Sequence, residues 1–180
     1  MTIFNDAWVV VKMPFHGTTL ENAKRILEED EMRSNAWLRR GDEKIYASSL
    51  PTTALQFALD TANRTTFGPG DARTPALLHI PDDLEPLNTY DDQYGHSEVQ
   101  YQGPLKPSEH GIKMVWSAPF APKNQRDHWV DLAEEFARDW VEQNRGKDTT
   151  SIRRTNRFWD DEYMKERMKR VLRGEEHGFV

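Results

Sequence analysis

Apolar residues fall into short runs over the first two-thirds of the chain and take on helical spacing after that. Ala7 to Lys12 (AWVVVK) is a β-branched run that predicts a buried strand, with Pro14 at its margin. Thr18 and Glu21 form an S/T-x-x-E capping box. The helix it predicts runs from Leu20 to about Glu29 and puts Ala23, Ile26 and Leu27 on one face. His16 and Gly17 are then expected at a strand-to-helix junction, where backbone N–H groups can point into a pocket. Residues 30–43 are polar and mixed, which predicts a loop with a short element around Trp37-Leu38.

Lys44 to Ser48 reads as a short strand. Pro51 suits the first turn of a helix from Thr52 to about Ala62, with Leu55, Ala58 and Leu59 as its stripe. Residues 63–75 form a loop rich in Gly and Pro, and residues 81–95 are acidic and irregular. Strands are predicted over Ala76–Ile80, over Glu98–Tyr101 with period-two alternation, and over Ile112–Trp116. Gly103-Pro104 marks a turn.

Beyond Ala118-Pro119-Phe120-Ala121-Pro122 the period changes. Trp129, Leu132, Ala133, Phe136, Trp140 and Val141 predict a helix with Gly146 as its stop. A second helix starts near Phe158 to Asp161 and ends at Gly174, with Met164, Met168, Val171 and Leu172 as its apolar side. The expectation is an α+β domain over residues 1–122 and a helical extension over residues 123–180.

Composition narrows the chemistry. The chain has 180 residues, 37% apolar and 30% charged, with 8 Phe, 6 Trp and 5 Tyr as bulky core material. Having no cysteine, it has no disulfide, no zinc-thiolate site and no thiol nucleophile. His79, His96, His110, His128 and His177 show no paired metal spacing, so no metal site is expected. The start of the chain lacks a basic region followed by a long apolar stretch, and Ala7 to Val11 is too short to span a bilayer. A cytoplasmic protein with no membrane partner is expected. A formal net charge of −6 argues against wholesale nucleic-acid binding. Basic clusters at 145–157 and 165–173 read as solvated helix faces or salt-bridge partners. A nucleic-acid partner for the 145–173 segment is the less favoured reading.

Three segments carry the candidate chemistry: Phe15-His16-Gly17-Thr18, then Ile45-Tyr46-Ala47-Ser48 leading to Phe57, then Ser97-Glu98-Val99. Taken singly, each has an ordinary explanation. His16 is a turn residue, Tyr46 a core aromatic, Phe57 an apolar helix position and Glu98 a solvated edge charge. Ser97 and His96 lie outside any G-x-S-x-G elbow, which sets aside a serine triad.

In order and spacing, the segments resemble the ADP-ribosyltransferase superfamily in its His-Tyr-Glu branch, over roughly residues 8–116. That branch includes the poly- and mono-ADP-ribose polymerases and many bacterial and phage relatives. The resemblance implies an α+β fold in which two small, mostly antiparallel sheets form a split cleft. It implies single ADP-ribosyl transfer from NAD⁺, as co-substrate, to a protein, nucleic acid or small molecule. By the same likeness, His16 would bond the adenosine ribose and Gly17 would hold the nicotinamide carboxamide through its backbone. Tyr46 and Phe57 would flank the nicotinamide ring, and Glu98 would bond the 2′-hydroxyl of its ribose. Thr18 and Ser48 would complete the NAD⁺-contacting motifs.

The chain departs from the pattern in two places. The family often has a small hydroxyl residue eight positions after the Tyr, and here that position is Ala54, with Thr53 beside it as a substitute donor. The Arg-Ser-Glu branch has Glu or Gln where this chain has His96. The residue types suit the reaction. Loss of cationic nicotinamide leaves an oxocarbenium-like ribose, which a fixed carboxylate stabilises where water is excluded. A catalytically silent module that binds NAD⁺, ADP-ribose or a partner is one alternative, and an NAD⁺ glycohydrolase is another.

Overall fold

A computed structural model describes residues 14–33, 43–48, 51–81, 84–91, 97–143 and 162–177. The strand expected over Ala7–Lys12, the element at Trp37-Leu38, the basic cluster at 145–157 and the stop at Gly146 lie outside the described residues.

The elements are β1 (Phe15–Thr19), α1 (Leu20–Glu29), β2 (Lys44–Ala47), α2 (Pro51–Arg64), β3 (Pro75–His79), β4 (Asn88–Asp91), β5 (Ser97–Gln102), α3 (Pro107–His110), β6 (Lys113–Ser117), α4 (Asp127–Gln143) and α5 (Glu162–Arg173). Among the described residues the fold is mixed α+β with two three-stranded sheets, one ordered β1-β3-β6 and the other β2-β5-β4. Every pairing is antiparallel. Among the described residues the sheets meet at one backbone pair: Phe15 N–H donates to the Ser48 carbonyl at 2.7 Å and Ser48 N–H to the Phe15 carbonyl at 2.8 Å.

The first sheet is covered on both faces, and the alternation of β3 shows how. Leu77 points into a core built with Phe15, Leu55, Leu59, Trp129, Val130, Met168 and Leu172. Ala76 and Leu78 point into a second core with Ile26, Ile45, Val99 and Tyr101. Strand side chains alternate faces, so a continuous apolar run signals burial on both. Helices α4 and α5 therefore share one apolar core with β1 and α2. Among the described residues, no helix is long and apolar enough to cross a membrane.

Three expectations need correction. His16 and Gly17 lie within a strand, because β1 runs from Phe15 to Thr19 and leads straight into α1. The cap of α1 is Thr19, whose extended backbone (φ −87, ψ 156) lets its side chain accept from Asn22 N–H at 3.2 Å. Thr18 instead is buried and accepts from Asn22 Nδ2 at 2.8 Å. The irregular segment before Glu98 contains a strand, β4, paired with β5.

The cations at 165–173 have acid partners. Lys165 meets Glu134 at 3.3 Å and Lys169 meets Asp131 at 3.1 Å. Arg167 and Arg170 both meet Glu176 at 3.1 Å, and Arg173 meets Asp127 at 3.4 Å.

Candidate functional site

The junction of the two sheets forms a cavity of about 320 Å³, lined by Phe15, His16, Gly17, Tyr46, Ala47, Ser48, Ala54, Phe57 and Glu98. That volume is near the lower end of the ~300–1,000 Å³ range of small-molecule pockets. Each side chain reaches the cavity for a local reason.

Gly17 sits where α2 crosses β1. A Cβ there would lie 1.9 Å from the Ala54 carbonyl oxygen and 2.8 Å from the Ala58 nitrogen. Only glycine allows helix and strand to approach so closely. The residue therefore serves packing first, and the same close approach brings Ala54 into the cavity wall.

His16 extends from β1 across the gap between the sheets, and its Nδ1 is 2.7 Å from the Tyr46 carbonyl oxygen. A carbonyl only accepts, so Nδ1 carries the hydrogen and Nε2 is left as an acceptor. Burial pulls the imidazole below its ordinary 6.5, more strongly than the bond to Tyr46 raises it. The ring is therefore neutral at pH 7 and offers the lone pair of Nε2 to a hydroxyl.

Tyr46 lies on β2, whose burial alternates along the strand: Ile45 and Ala47 enter the core, while Lys44 and Tyr46 face out. Phe57 is on the outer side of α2, opposite the buried stripe of Ala54, Leu55, Ala58 and Leu59. Tyr46 is 45% exposed and Phe57 57%. Neither is held by the core, and together they give the cavity two open aromatic walls. Glu98 lies on β5, the middle strand of its sheet, so it is not the edge charge that a single-residue reading expects. Its Oε1 accepts from Gln100 Nε2 at 2.6 Å.

The cavity thus gathers His16, Gly17, Tyr46, Ser48, Phe57 and Glu98 from the expected set. Ser48 is buried, with its backbone in the bridge to Phe15. Thr18 and Thr53 are not in the lining, and Ala54 stands at the wall where Thr53 was expected to substitute. Phe15 and Ala47 join the lining without a signal in their own types, since each reads as a core residue. Gln100 was missed as a partner of Glu98, although the period-two alternation of β5 puts the two on one face. Among the described residues, no three His, Asp or Glu groups cluster to hold a metal ion. The arrangement offers a neutral acceptor, a carboxylate and two aromatic surfaces around one concavity. Such a site accommodates a flat ring joined to a hydroxyl-bearing group. No family model matches the chain, and no curated protein or solved structure matches it.

Proposed function

We propose that the chain is a mono-ADP-ribosyltransferase that cleaves the nicotinamide–ribose bond of NAD⁺ and passes ADP-ribose to an acceptor. One observation carries the reading: His16, Tyr46 and Glu98, from three distant stretches, line the same cavity together with Phe57 and Gly17. The size of the cavity suits the nicotinamide-ribose end of the dinucleotide.

Each group has a task. Tyr46 and Phe57 flank the pyridinium ring, a flat cation that aromatic faces favour. The neutral His16 accepts from a ribose hydroxyl through Nε2. Glu98 accepts from the 2′-hydroxyl and stabilises the positive charge that grows on the ribose as nicotinamide leaves. The glycosidic electron pair departs with nicotinamide, the acceptor's lone pair forms the new bond at the same carbon, and the acceptor's proton passes to a base. Glu98 is the carboxylate placed to assist that last step.

Incubation of the protein with NAD⁺ and a cell lysate, read by free nicotinamide and by added mass on any species, tests the proposal. Nicotinamide release with ADP-ribose on an acceptor is expected, and Glu98→Gln should stop both. Release without transfer would make the protein a glycohydrolase. Binding of NAD⁺ without release would make it a silent module.

A further inference from the structure

Glu98 has a neighbour on its own strand that takes no part in the scheme above. Gln100 lies two residues along β5, so its side chain leaves the same face of the sheet. The register sets Tyr46 opposite it on one side and Asn88 on the other. Gln100 Nε2 donates to Glu98 Oε1 at 2.6 Å, and Gln100 is not itself part of the cavity lining.

We propose that Gln100 is the positioning residue for Glu98, acting on the transferase reaction only through that carboxylate; this rests on the transferase reading. A glutamate reaches its site on a stem with several free torsions. Tying one oxygen back to the strand selects the rotamer that lines the cavity, so the carboxylate is set before the ribose cation develops. The chemistry of the partner matters as much as its position. A lysine or arginine there would cancel much of the negative charge that the oxocarbenium needs. A carboxamide donates a hydrogen bond, brings no charge and cannot hand over a proton. Gln100 thus fixes the carboxylate and leaves its charge intact.

Nicotinamide release from NAD⁺ is compared for the wild-type chain, Gln100→Met and Gln100→Glu, with thermal melts of each. Gln100→Met keeps length and removes the donor. Its kcat should fall about ten- to a hundredfold while KM for NAD⁺ and the melting temperature stay near wild type. Gln100→Glu places a second carboxyl group against Glu98. Two carboxylates at that distance share one proton on the acid side and repel once both are ionised. Its kcat should therefore approach wild type at the acid end and drop to the Gln100→Met level as pH rises, a fall that the wild type lacks. A Gln100→Met variant with wild-type kcat, or a Gln100→Glu variant that tracks wild type across pH, would overturn the assignment alone. A wild-type chain that releases no nicotinamide would overturn the transferase reading together with it.

Discussion

The two sheets are built alike and used differently. The β1-β3-β6 sheet is packed on both faces, and β3 is its signature: Ala76, Leu77 and Leu78 are all fully buried. Among the described residues, the β2-β5-β4 sheet is packed on one face only. Ile45, Ala47, Val99 and Tyr101 enter the core, while Tyr46, Glu98 and Gln100 stay at least partly open. Stability therefore resides in the first sheet with its helices, and the candidate chemistry resides on the open face of the second. His16 belongs to both: its backbone is in the first sheet and its imidazole is bonded to the second.

Substitutions can break or sharpen that contrast. The largest effect is expected at Trp129, which is fully buried and donates from Nε1 to the Pro119 carbonyl at 2.9 Å. Trp129→Ala should cost about 3–5 kcal/mol in denaturant unfolding. A loss under about 1 kcal/mol would place the stable part of the molecule elsewhere. Gly17→Ala comes next, because its Cβ meets the Ala54 carbonyl oxygen at 1.9 Å and helix or strand must shift. Roughly 1–3 kcal/mol is expected, seen as a lowered melting temperature. Wild-type melting would show that α2 and β1 have slack between them.

The open sheet should behave in the opposite way. Tyr46→Ala and Phe57→Ala remove side chains that are 45% and 57% exposed, so unfolding should change by no more than about 1 kcal/mol. Affinity for NAD⁺ should drop roughly tenfold in each, read by calorimetry. The smallest effect is the pH dependence of His16. Its imidazole is held below 6.5 by burial, so the unfolded chain binds the proton more readily than the folded one. The stability it contributes is complete above its unfolded value and is lost as pH falls through the depressed one. Denaturation midpoints of wild type and His16→Gln, compared from about pH 7.5 down to about pH 5, should differ in slope, with the wild type losing more on acidification. Parallel slopes would mean that the ring is not desolvated.

Periodicity carried much of the fold. The run at Ala76–Ile80, the stripe of α2 and the heavy aromatic spacing of α4 are strong patterns, and each element formed where its pattern lies. Strand β4 was hidden because Asn88, Thr89, Tyr90 and Asp91 hold no apolar alternation; the backbone pairs at the sheet edge without a buried stripe. The α1 cap was misplaced by one residue because Thr18 and Thr19 both carry the hydroxyl, and only the strand geometry selects between them. At the site, the residue types and their order were legible. What they do for packing was not: the glycine at 17 answers to α2, and the openness of Tyr46 and Phe57 is set by which faces the core covers. No local pattern encodes either.

Calorimetric titration of Glu98→Gln with NAD⁺, repeated with Tyr46→Ala added, tests the shared cavity most directly, because turnover is blocked while the pocket stays whole. Saturable binding to the single variant, much weakened in the double one, is the predicted result. A folded Glu98→Gln protein that takes up no NAD⁺, or one whose affinity ignores the loss of Tyr46, would contradict it.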